Sequence, residues 1–170
     1  NTLHKLKEAG EKFACLTCYD ALYAELFAEA GIEVILVGDS LGMVIQGHDT
    51  TLPVTMEDVI YHMQCVKRGS KGSLLIADLP FMSYQASVET AVENAGRLVQ
   101  EGGTEGVKLE GGLPVLPQVK AIVEAGIPVV GHLGRAALSG GRHERGLERR
   151  GLDGPLWAIY DRAFARTDRP

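Results

Sequence analysis

Apolar runs rich in β-branched residues recur along the first 134 residues: FACLTCYD (13–20), VILVGDS (34–40), SLLIADLP (73–80), GVKLEGG (106–112) and PVVGHLG (128–134). Between them the apolar positions take helical spacing, as in ALYAELFAEAG and in SVETAVENAGRLVQEGG, where Ser87 stands as an N-cap. Near-continuous apolar strands alternating with amphipathic helices predict a parallel sheet covered by helices, an α/β fold. One phrase occurs twice, EAGIEVILVG at 29–38 and EAGIPVVG at 124–131. In each, a glycine in the left-handed C′ position is expected to close a helix before a buried strand.

All five predicted strands end on polar residues: Asp20, Asp39 with Ser40, Asp78, Lys108 with Glu110, and His132. In a doubly wound sheet or a (β/α)8 barrel, the C-terminal strand ends form the ligand face. No G-x-G-x-x-G or G-x-x-x-x-G-K-[ST] follows a strand, which turns the reading from a nucleotide-binding sheet towards a barrel.

Composition narrows the class without naming a chemistry. The 170 residues, 45% hydrophobic with a net charge of −5, describe an ordinary globular chain and argue against nucleic acid. No apolar run approaches the roughly 20 residues that span a bilayer. The polar N-terminus lacks the apolar middle of a secretory signal, and three cysteines make no disulfide framework, so a cytoplasmic location is expected. All seven lysines lie in residues 1–134, whereas the last 36 residues carry eight arginines and no lysine. The expected division is a partial barrel domain over 1–134 and a divergent tail over 135–170.

Asp39, Asp78 and Glu110 are carboxylates at three strand ends. Each alone is as readily a helix cap. Together they would repel one another unless a cation sat between them, and an all-oxygen set suits Mg²⁺. Lys108 and Glu110, two apart on a strand, share a face, and a buried lysine there needs Glu110 or an anionic substrate as its partner. His132, between glycines, is as consistent with a structural role as with a functional one. Cys15 and Cys18 suggest zinc or redox chemistry, but residues three apart on a strand face opposite sides, which favours core packing. The arginine-rich tail interleaves five acidic residues and offers no aromatic platform for nucleic acid.

VGDSLGMVIQGHDTTLPVT (37–55), ADLPFMSY (77–84), VKLEGG (107–112) and GHLG (131–134) resemble the ketopantoate hydroxymethyltransferase family, as does the stretch from Phe13 to Ser40. The resemblance implies a TIM-type (β/α)8 barrel, of which residues 1–134 hold about the first five units. It implies transfer of a hydroxymethyl unit from 5,10-methylenetetrahydrofolate to 3-methyl-2-oxobutanoate, giving 2-dehydropantoate for pantothenate, through a Mg-stabilised enolate. On the matching positions, Mg²⁺ falls to Asp39, Asp78 and Glu110. The oxo acid falls to Asp39, Ser40, Asp78 and Lys108, and the catalytic positions to Lys108 and His132. A cytoplasmic homodecamer is implied, with no nucleic acid and no membrane as partner.

Past Gly134 the resemblance stops, before the glutamate that serves the family as general base. The change from lysine to arginine there resembles a GC-rich gene read in a shifted frame, and the chain as given is expected not to turn over. None of Glu144, Glu148, Asp153, Asp161 and Asp168 lies in a strand pattern that would aim it at the site. Two alternatives stand beside the transferase: a carbon–carbon lyase of the phosphoenolpyruvate-mutase and isocitrate-lyase kind, and a catalytically silent truncated subunit.

Overall fold

The computed structural model describes residues 2–132, and the expectations for the arginine-rich tail lie outside them. Five strands form one parallel sheet: β1 (Cys15–Thr17), β2 (Val34–Val37), β3 (Leu74–Asp78), β4 (Gly106–Glu110) and β5 (Val129–His132). Their spatial order is their chain order. A doubly wound sheet reverses direction at its switch point, whereas a barrel adds each unit beside the last. The uninterrupted order is that of an α/β barrel, here represented by its first five units.

Helices α1 (Thr2–Ala9), α2 (Ala21–Glu29), α3 (Leu41–Val44), α4 (Met56–Gly69), α5 (Val88–Arg97) and α6 (Leu116–Glu124) precede or join the strands. Their starts follow local chemistry. Ser87 accepts from the Thr90 N–H, as its place in the sequence predicted, and Thr55 forms a capping box with Asp58 ahead of α4. The repeated phrase behaves as expected: Gly31 and Gly126 follow their helices at φ 78° and 88°, values at which a Cβ is strained.

The core lies between the sheet and its helices. Ile35, Val37, Ala77 and Val107 contribute from the strands, and Val59, Met63, Val66 and Leu98 from the helical layer. The central strands are near-continuously buried, but every residue of β1 is exposed. Among the described residues β1 pairs only with β2, so an apolar sequence there does not become a buried strand. No helix among the described residues is long and apolar enough to cross a membrane.

Candidate functional site

The strand register builds the site. Asp78 stands beside Lys108 across β3 and β4, and Glu110 beside His132 across β4 and β5. Registered residues of parallel neighbours point to the same face. Lys108 Nζ accordingly lies 2.9 Å from Asp78 Oδ1, and His132 Nδ1 lies 2.9 Å from Glu110 Oε1. The partner of Lys108 is therefore Asp78, not Glu110. Residues two apart on one strand share a face, but a cross-strand neighbour in register lies closer.

Asp39 follows β2 and joins the same cluster. Its N–H donates to Asp78 Oδ2 at 3.3 Å. Gly38 makes room for that approach, since a Cβ there would stand 3.0 Å from both Asp78 Oδ2 and Ser40 Oγ. Burial pushes the Asp78 carboxyl up to about 6, with the Lys108 ammonium opposing the rise and Asp39 adding to it. Burial also raises Asp39, against a hydrogen bond from the Thr51 side chain. Both rises come chiefly from desolvation, which Lys108 and the hydrogen bonds to these carboxyls do not fully offset.

The helix-cap alternative separates cleanly among the aspartates. Asp20 is a cap, its Oδ1 accepting from the Tyr23 N–H at 2.9 Å. Asp39 is not: α3 starts after Ser40, with no side-chain cap bond. Asp78 is bound to Lys108 and the Asp39 N–H instead.

Asp39, Asp78, Lys108 and Glu110 line one pocket together with Tyr84 and Gln85. Its oxygen donors suit a hard divalent cation, which binds through one or two carboxylates and leaves room for a ligand. The glycine cradle and the raised carboxyls fit such an ion. The three carboxylates do not close around a point as they stand. Glu110 turns to His132, and no group of three or more His, Cys, Asp or Glu among the described residues is arranged to hold a metal.

Several residues here carried no signal in the sequence. Tyr84, 2% exposed, donates its hydroxyl to the Glu110 carbonyl at 2.9 Å. The Tyr19 hydroxyl lies 2.8 Å from Ser40 Oγ, and His62 Nδ1 donates to the Tyr19 carbonyl at 2.8 Å. Both tyrosines sit inside quoted stretches, but a lone tyrosine has no spacing that reveals where its hydroxyl lands. Of the cysteine pair, Cys18 is packed in the core and Cys15 is exposed on β1, so core packing holds for Cys18 alone. Desolvation raises both thiols above the ordinary value, the reverse of a reactive dithiol.

Residues 1–144 match the family described as ketopantoate hydroxymethyltransferase. Among curated relatives, the 3-methyl-2-oxobutanoate hydroxymethyltransferase of Shewanella loihica is 59% identical over 134 residues, covering 79% of this chain and 50% of its own. That of Clostridium novyi is 58% identical over 133 residues, covering 78% and 48%. The chain thus spans about half the length of the curated relatives it matches. Among solved structures, a phosphonopyruvate hydrolase complex with oxalate and Mg²⁺ superposes with a TM-score of 0.61 at 14% identity, covering 76% of this chain and 50% of that one. A 2,3-dimethylmalate lyase of the PEP mutase/isocitrate lyase superfamily gives 0.58 at 16% identity, covering 76% and 51%. At such identities these structures share the fold alone.

Proposed function

The chain belongs to the ketopantoate hydroxymethyltransferase family, and from that membership we propose that its site serves hydroxymethyl transfer to a 2-oxo acid. The acceptor is 3-methyl-2-oxobutanoate, the donor 5,10-methylenetetrahydrofolate and the product 2-dehydropantoate. The setting is a cytoplasmic homo-oligomer. One observation supports this reading above others: β2, β3 and β4 deliver Asp39, Asp78, Lys108 and Glu110 to a single pocket.

Asp39 and Asp78 would hold Mg²⁺, joined by Glu110 on release from His132. Bound there, Mg²⁺ would supply Lewis acidity towards the keto and carboxylate oxygens of the acceptor. The chain's own residues orient that acceptor. Lys108 Nζ, held by Asp78 at 2.9 Å and 16% exposed, presents a fixed positive charge where oxyanion character develops. Ser40 Oγ, tethered to the Tyr19 hydroxyl, offers a short polar contact at the end of β2. His132 and Glu110 are joined by a 2.9 Å hydrogen bond across the ends of β4 and β5, which holds the imidazole beside the pocket.

Calorimetric titration of the chain with 3-methyl-2-oxobutanoate tests the reading. Binding is expected with Mg²⁺ present and not without it, and should disappear in Asp78→Ala and Lys108→Met proteins that remain folded. Equal affinity with and without Mg²⁺, or in both variants, would overturn it.

A further inference from the structure

We propose that Tyr84 is a positioning residue of the site, its hydroxyl clamping the main chain of Glu110 on both sides and so fixing where the Glu110 carboxylate reaches. The hydroxyl donates to the Glu110 carbonyl oxygen at 2.9 Å and accepts from the Glu110 N–H at 3.2 Å. Glu110 is the last residue of β4, and beyond it one long bond, from the Gly111 N–H to the His132 carbonyl at 3.3 Å, still ties the chain to β5. Two bonds from one hydroxyl to one residue's main chain restrain its rotation at that end. From that held main chain the glutamate side chain reaches His132 Nδ1 at 2.9 Å, at the edge of the pocket that Glu110 lines. Because Tyr84 is 2% exposed, water competes little for either bond.

The segment that delivers Tyr84 is itself held against strain. Met82, two residues before it, sits at φ 65°, a conformation unfavourable for a residue with a side chain. The N–H and hydroxyl of Ser83 both donate to the Pro80 carbonyl, at 3.1 and 2.7 Å. Asn94 Nδ2 on α5 donates to the Ser83 carbonyl at 2.7 Å. Strain of this kind persists where the surroundings over-determine it, and it gathers at functional sites. A tyrosine serving only the core needs one partner for its hydroxyl. This one is aimed at both polar groups of a residue that lines the pocket.

The inference rests on the reading of Glu110 as an acidic ligand of the site, and Tyr84→Phe tests it by removing the hydroxyl while keeping the ring. Calorimetric titration with Mg²⁺ should show about 10–100-fold weaker binding, the usual effect of losing a residue that orients a ligand. The nitrogen NMR shift of His132 Nδ1, which reports its hydrogen bond to Glu110, should move towards that of an unbonded ring. Val107→Ala, a core truncation on the same strand, controls for lost stability and should leave both readouts in place. Unchanged Mg²⁺ affinity in Tyr84→Phe would overturn the inference, as would an equal loss in Val107→Ala. Should the unaltered chain bind no Mg²⁺, the metal reading fails and the His132 shift alone decides the clamp. A shift that moves in Tyr84→Phe but not in Val107→Ala upholds it, and one that stays put overturns it.

Discussion

The two ends of the sheet use carboxylates in opposite ways. At the N-terminal strand ends, Glu33 Oε2 accepts from the Ala14 N–H at 2.9 Å, and Glu105 Oε2 from the Leu75 N–H at 3.0 Å. Each glutamate immediately precedes a strand and secures main chain outside that strand. A larger cleft opens at this end, lined by Glu33, Lys67, Ser70, Ser73 and Glu105; its charged groups and Ser73 already have partners, and Ser70 Oγ is buried without one among the described residues. Lys67 Nζ donates to the Gly103 carbonyl and Ser73 Oγ to the Ile32 carbonyl. At the C-terminal ends, Asp39, Asp78 and Glu110 line one pocket with Lys108, Asp78 paired with the lysine and Glu110 with His132. The satisfied end stabilises the fold. The other retains buried charge that a ligand can compensate, and so the smaller pocket is the better candidate site.

The largest expected effect separates the two ends by metal binding. Asp78→Ala should weaken Mg²⁺ affinity by more than the about 10–100-fold that losing an outer partner costs. Asp39→Ala should follow it, whereas Glu33→Ala and the cap variant Asp20→Ala should leave affinity unchanged. Calorimetry giving one affinity for all four would erase the contrast.

A second expected effect concerns pH. The folded-state value of Asp78, about 6, lies above the ordinary 3.8, so the native chain holds this proton more tightly than the unfolded chain. Between those two values the native state binds more protons, and stability must fall as pH rises through the window. Without metal, denaturant midpoints should show that decline, and Asp78→Asn should flatten it. The same slope in both proteins would mean that Asp78 ionises as it does in water.

The smallest effect belongs to the satisfied end. Glu33→Ala removes one partly exposed hydrogen bond and should lower stability by about 1 kcal/mol, read from the denaturant midpoint. A weakened Mg²⁺ affinity in that variant would assign Glu33 a role it does not have here.

Much of this was legible beforehand. Asp39, Ser40, Asp78, Lys108, Glu110 and His132 all lie at the C-terminal ends of their strands, because a polar residue closing an apolar run has few other places to go. The helix closures at Gly31 and Gly126 were equally readable, since a positive φ selects for glycine. Tyr84, Tyr19 and Thr51 were not. Their contribution depends on which main-chain, hydroxyl or carboxylate group lies opposite, 21 to 26 residues away for the two tyrosines.

The sequence by itself determined the alternation of strands and helices, the polar strand tips and the family. Those features depend on periods of two and 3.6 residues, on capping and turn chemistry, and on motifs that stay contiguous along the chain. Only the tertiary structure decided which charges meet. Pairing β3 with β4 so that Asp78 registers with Lys108, and β4 with β5 so that Glu110 registers with His132, settles both contacts at once. A slip of one residue would turn each partner to the other face, and no local pattern specifies the register between strands joined by long crossovers. The packing of the helical layer against the sheet chooses it.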